Sequence, residues 1–121
     1  NHWREIQAIY EGTNVAKGKT ASATGTIDTS SGTGTISTIT DGKIDSSQEY
    51  INVGSGQQCI TIDLGKEYNL EEIAIWHAFN TKRIYKENIV QVAGDEGSYR
   101  VIYYKYGSSG PRETPNGIHI K

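Results

Sequence analysis

Cys59-Ile60-Thr61-Ile62-Asp63-Leu64-Gly65 alternates without a break between apolar and polar positions before it reaches a glycine. Ile60, Ile62 and Leu64 point to one side of an extended chain, and Cys59, Thr61 and Asp63 to the other. That is the pattern of a half-buried strand ended by a turn. Shorter segments of the same kind lie on either side, at residues 3–10, 73–76, 89–93, 99–104 and 117–120. Between them stand Gly65-Lys66, Gly94-Asp95, Gly97-Ser98, Gly107-Ser108-Ser109-Gly110 and Pro115-Asn116-Gly117, whose residues favour turns. The spacing predicts an all-β, antiparallel sandwich.

One helical signal competes. Asn69 followed three residues later by Glu72 resembles a capping box. The residues that follow, Ile73-Ala74-Ile75-Trp76, lack a 3.6-residue period and are rich in β-branched side chains, which favours a strand. Between Thr20 and Thr40, 15 of 21 residues are Thr, Ser or Gly, and Ile27, Ile36 and Ile39 are the large apolar side chains. So little to bury predicts a long surface loop or a weak edge hairpin.

The chain has 121 residues, the size of one domain with one core, and residues 1–121 are read as a single unit. Its net charge of -2 offers no nucleic-acid patch and no anionic-membrane anchor. Apolar runs are only a few residues long, too short for a membrane-spanning helix. Cys59 is the single cysteine and cannot form an internal disulfide. Its mid-strand position predicts burial.

Gly12-Thr13-Asn14-Val15-Ala16-Lys17-Gly18-Lys19-Thr20 nearly spells a phosphate-binding loop. It has five residues between its glycines where that loop has four, and Ala21-Ser22-Ala23-Thr24-Gly25 is a poor helix start. The three histidines lie far apart, no nucleophile elbow occurs, and Glu71-Glu72 and Asp95-Glu96 fall beside turns as solvated charge does. The expectation is therefore no enzyme.

Two stretches carry other chemistry. In Thr40-Asp41-Gly42-Lys43-Ile44-Asp45-Ser46-Ser47 a carboxylate sits in a glycine turn among hydroxyls, either a plain Asp-Gly turn or a gathering of oxygens for a hard cation. Trp76-His77-Ala78-Phe79-Asn80-Thr81-Lys82-Arg83-Ile84-Tyr85 combines rings with planar donors after a strand. That suits a sugar site, unless Trp76 and Tyr85 are core and the loop between them is merely solvated.

Taken in order, Asn14-Val15-Ala16-Lys17-Gly18-Lys19, Ile39-Thr40-Asp41-Gly42, Gln57 through Gly65, Ile73-Ala74-Ile75-Trp76-His77 and Val90-Gln91-Val92 resemble the discoidin family. This family is also called the factor V/VIII type C domain and includes galactose-binding carbohydrate-binding modules. The resemblance implies a jelly-roll sandwich that binds glycans through loops at one end, and in many members a structural calcium ion. It implies calcium ligands at the carbonyls of Thr38 and Lys43, the Asp41 carboxylate, Ser46, and a carbonyl and carboxylate from Arg4 and Glu5.

Asn1-His2-Trp3-Arg4-Glu5-Ile6 resembles the closing strand of such a domain, here at the N-terminus, with residues 1–12 as that strand and 13–121 as the body. Relatives continue past a segment like Gly117-Ile118-His119-Ile120 with a strand of Arg-Tyr-Ile-Arg type, whereas this sequence stops at Lys121. A slice through a tandem array, a truncation and a strand donated by a neighbouring subunit remain open explanations.

The resemblance and the residues together lead to an expected function, a non-catalytic glycan-binding module of a cell-surface, secreted or virion protein. His77, Asn80 and Arg83 would hydrogen-bond sugar hydroxyls, Tyr85 or Tyr50 would stack on the ring, and Asn52 would lie beside them. The alternative is a structural repeat or subunit of an extracellular fibre, phage appendage or surface array, joined to a homo-oligomeric or tandem neighbour by shared strands.

Overall fold

The structure is a computed structural model describing residues 2–25, 35–44, 50–54, 57–77, 87–94, 97–106 and 117–121. Its regular elements are β1 (His2–Tyr10), β2 (Thr13–Asn14), β3 (Thr20–Ala23), a 3-10 helix (Ile36–Thr40), β4 (Ile51–Asn52), β5 (Ile60–Asp63), β6 (Glu72–His77), β7 (Glu87–Val92), β8 (Arg100–Tyr106) and β9 (Ile118–Ile120). Among the described residues there is no α-helix, and every strand pairing is antiparallel. The chain is all-β and sandwich-like.

β1 is central to the main sheet. It pairs along its length with β6, which pairs in turn with β9, while β2 and β4 pair with its two ends. The N-terminal strand is thus satisfied within its own chain. β3 and β5 form a two-stranded ribbon in which Ala21 faces Ile62 and Ala23 faces Ile60. These four side chains pack, with Trp3 and Ile6 of β1, on a core of Ile39, Ile51 and Val53. Thr61 and Asp63 are exposed, as the alternation requires.

The second core cluster joins Ile75, Ile118 and Ile120 to Val90 and Tyr103, which brings the β7–β8 ribbon against β6 and β9. Gly117, just before β9, is held to glycine twice. Its φ of +74° is the left-handed region, and a Cβ there would meet the Trp76 ring at 2.6 Å.

The structure corrects two readings of the sequence. Residues 35–40 are no bare surface loop, since Thr38, Ile39 and Thr40 are buried and Ile39 is fully enclosed. One well-placed isoleucine, worth roughly 1.5–3 kcal/mol on burial, anchors an otherwise polar segment. Cys59 is exposed and precedes β5, because the chain enters the strand only at Ile60.

Candidate functional site

The described site residues gather where β1 begins. Trp3 pairs with Ile51 on one side and with His77 on the other, so residues 50–52 and the end of β6 meet across it. The Trp3 and His77 rings lie 4.4 Å apart at a tilted 54°. His77 is buried, and the chain runs from it directly into residues 78–86. The Trp3 indole Nε1 is also buried and has no hydrogen-bond partner among the described residues. An orphaned N–H of this kind costs on the order of 1–3 kcal/mol unless a water or a ligand oxygen meets it.

Tyr50 and Asn52 are half-buried, and the Asn52 Oδ1 accepts a 3.0 Å bond from the Gly54 amide. Of the sequence-predicted sugar ligands, Tyr50, Asn52 and His77 share this end of the sheet. Asn80, Arg83 and Tyr85 lie outside the described residues. Trp76 is a core side chain, 4% exposed, packed edge-on to His119 at 5.5 Å.

One step along β1 the register slips between Trp3 and Glu5, which face His77 and Trp76 respectively. Two residues on one strand thus oppose a single step on the other, a bulge that takes Arg4 out of the ladder and re-aims its neighbours. Arg4 and Glu5 are both buried, Glu5 completely. Gln7 Nε2 donates to Glu5 Oε2 at 3.2 Å, while Oε1 accepts no hydrogen bond among the described residues. Burial pushes the Glu5 carboxyl up to about 8, and the nearby Asp41 carboxylate raises it further against the lowering effect of Gln7 and of the Gly42 amide.

Asp41 lies in the turn that ends the 3-10 helix. The Asp41 amide donates to the Thr38 carbonyl at 3.3 Å, and Asp41 Oδ1 accepts from the Lys43 amide at 2.8 Å. Gly42 takes a φ of +84° beneath the Lys17 side chain, and the Gly18 amide donates to the Thr40 carbonyl at 2.8 Å. Asp41 and its turn are therefore fixed by the Lys17–Gly18–Lys19 segment and carried to the buried carboxylate. Lys43 is exposed, and Ser46 lies outside the described residues.

A buried carboxylate with one oxygen unmet among the described residues, near a second carboxylate, would suit a hard cation by its chemistry, since a bound charge offsets both the desolvation and the repulsion. Among the described residues no group of three or more His, Cys, Asp or Glu side chains assembles. Carbonyl oxygens, of the kind Arg4, Thr38 and Lys43 carry, would have to complete the coordination.

Searches against protein-family models, curated proteins and solved structures find no match to this chain. The discoidin resemblance therefore rests on the residues that carry it in the sequence. What sequence reasoning missed was the bulge at Arg4 and the role of Trp3 as the bridge between β4 and β6. Neither leaves a local signature, because both arise from pairing between distant segments.

Proposed function

We propose that this chain is a non-catalytic carbohydrate-binding module with a discoidin-like jelly-roll sandwich, working in an extracellular, cell-surface or virion setting. The glycan is taken at the end of the sheet where residues 50–52 and His77 meet, and the proposed ligands Asn80, Arg83 and Tyr85 lie outside the described residues. The observation that supports this reading is the meeting of β4 and the end of β6 on Trp3, whose buried indole N–H has no acceptor among the described residues. Half-buried Tyr50 and Asn52 supply a ring and an amide, the pairing that sugar recognition uses.

Calcium in this proposal is structural. Glu5, Asp41 and the carbonyls of Arg4, Thr38 and Lys43 would hold it, with Ser46 from the following segment. It would neutralise the two facing carboxylates and lock the 3-10 turn to β1, next to Trp3. Asn52→Ala, Arg83→Ala and Tyr50→Ala, compared with the parent protein on a glycan array with and without calcium, test the reading. Loss of a bound glycan by tenfold or more is expected, equivalent to about 1.4 kcal/mol. Unchanged binding in all three variants overturns it.

A second reading, a structural subunit, is favoured by one observation. Ile89, Val101 and Tyr104 are 42%, 51% and 53% exposed, with Ile89 paired to Tyr104 across the β7–β8 ribbon. Native mass spectrometry separates the two readings, because assembled subunits persist on dilution and a lone module stays at the mass of one chain.

A further inference from the structure

At the far end of the β1–β6 pair from Trp3 and His77, two depressions of about 290 and 410 Å³ adjoin and share Tyr68 and Asn69. Nothing in the loop-end reading uses them. The smaller is bounded by Tyr10 and Tyr68, whose rings stand 5.2 Å apart at 58°, with the Lys66 ammonium 5.2 Å from the Tyr68 centroid. The larger has Ile73, Ile102 and Ile120 as apolar lining and Asn69, Glu72 and Arg100 as polar lining.

Several contacts fix this groove. Glu72 is held on both carboxylate oxygens, by His119 Nδ1 at 2.9 Å and by Lys121 Nζ at 3.8 Å. The Glu71 amide donates to the Ile9 carbonyl at 2.8 Å, and Glu71 Oε1 accepts from the Gly12 amide at 3.3 Å, tying the wall to the β1–β2 turn. That turn takes a φ of +49° at Glu11 and +78° at Gly12, the two positive values that a two-residue hairpin loop requires. Tyr10 is the residue immediately before it.

The chemistry selects among ligands. Lys66, Arg100 and Lys121 stand against Glu67, Glu71 and Glu72, so opposite charges balance around the groove and no net field draws in an ion. Half-buried tyrosine rings and isoleucines suit the C–H faces of a sugar, and an amide, a guanidinium and a carboxylate suit its hydroxyls. At about 290 and 410 Å³ each depression lies at the low end of the usual range of about 300–1,000 Å³ for small-ligand sites.

We propose that this groove is a second binding site, for a neutral oligosaccharide of two or three rings. Seven residues of β1 separate it from the loop end, which at about 3.3 Å per residue is roughly 23 Å. A chain with both sites would bridge two glycans, or two branches of one, and gain avidity from the pair. The proposal stands on its own geometry and does not need the loop-end site to be correct.

The test is a two-dimensional amide NMR titration of the whole chain with lactose, cellobiose and maltose, repeated on Tyr68→Ala and Arg100→Ala. Saturable shifts centred on residues 66–72 and 100–102 are expected, with a Kd on the order of 1 mM. Each variant, checked for folding by its own amide spectrum, should weaken them at least tenfold, while Asn52→Ala leaves them unchanged. If Tyr68→Ala fails to fold, the exposed Arg100 site still decides the matter. Absence of shifts at residues 66–72 with all three sugars, or shifts indifferent to both variants, overturns the proposal. Shifts confined to residues 50–54 and 74–77 would do the same while upholding the loop-end site.

Discussion

Glu5→Gln should stabilise the calcium-free protein at alkaline pH and at the same time abolish its response to calcium. The Glu5 carboxyl moves from an ordinary 4.5 to about 8 because it is buried, so the folded state holds this proton more tightly than the unfolded chain does. The sign follows directly. Stability is whole below about pH 4.5, falls as pH rises toward 8, and is flat above that. At about 1.4 kcal/mol per pH unit the ceiling on the loss is about 5 kcal/mol. Relaxation of the pocket and entry of water reduce it to roughly 2–3 kcal/mol.

Glutamine keeps the shape of the protonated acid and cannot ionise, so the variant should hold its stability across that window. Urea melts in chelator at pH 5 and pH 8.5 measure the effect. Parent and variant should nearly coincide at pH 5 and part by roughly 2–3 kcal/mol at pH 8.5, with the variant higher. Calcium at a hundred times its Kd adds about 2.7 kcal/mol to the parent, on the order of 10 °C in Tm, and should add nothing to the variant. Calcium affinity of the parent should rise with pH up to about 8, since the ion displaces the Glu5 proton. A variant less stable than the parent at pH 8.5 without calcium, or one still stabilised by calcium, would refute the reasoning. Either result would mean that Glu5 is already satisfied by other groups.

Three further outcomes are expected. Gly117→Ala combines a left-handed φ with a Cβ pressed on the Trp76 ring, and should cost about 2–4 kcal/mol with a change in tryptophan fluorescence, read by urea melts. Glu11→Gly relieves a positive φ at an exposed turn position and should raise stability by about 0.5–1 kcal/mol in the same assay. Ile39→Ala empties a fully buried position and should cost about 2–5 kcal/mol, whereas a surface-loop isoleucine would cost under about 0.5.

How much of this was legible in the sequence depended on how local each signal was. Strands at 3–10, 60–64, 73–76, 89–93, 99–104 and 117–120 were readable because a period of two survives in a short window, and β-branching at Ile73 and Ile75 outweighed the capping-box signal at Asn69. β2, β3, β4 and the 3-10 helix were not. Ala21 and Ala23 carry too little apolar surface to announce a strand, and they become half-buried where Ile60 and Ile62 pair with them. Thr35 to Thr40 looks like polar filler until Ile51, Val53 and Trp3 close around Ile39. The approach of Asp41 to Glu5 leaves no local signal, since the two are 36 positions apart and no spacing rule joins them.

A regular ladder from Trp3 to Ile9 would place Arg4 opposite a residue of β6 and return Glu5 to strict alternation. The slip between Trp3 and Glu5 instead leaves two successive polar residues buried in the middle of the main sheet, at the edge of the core cluster. Ionising Glu5 in that setting is costly, so its carboxyl holds the proton up to about pH 8. A sequence that keeps a fully buried Glu5 there carries a local conflict of the kind that marks functional positions. The Asp41–Gly42 turn delivers a second carboxylate to the same point, and the proposed calcium ion would join the two. In that arrangement calcium would act less as a ligand than as the missing core residue, setting the angle between the 3-10 turn and β1 and, through Trp3, the loop end beside it.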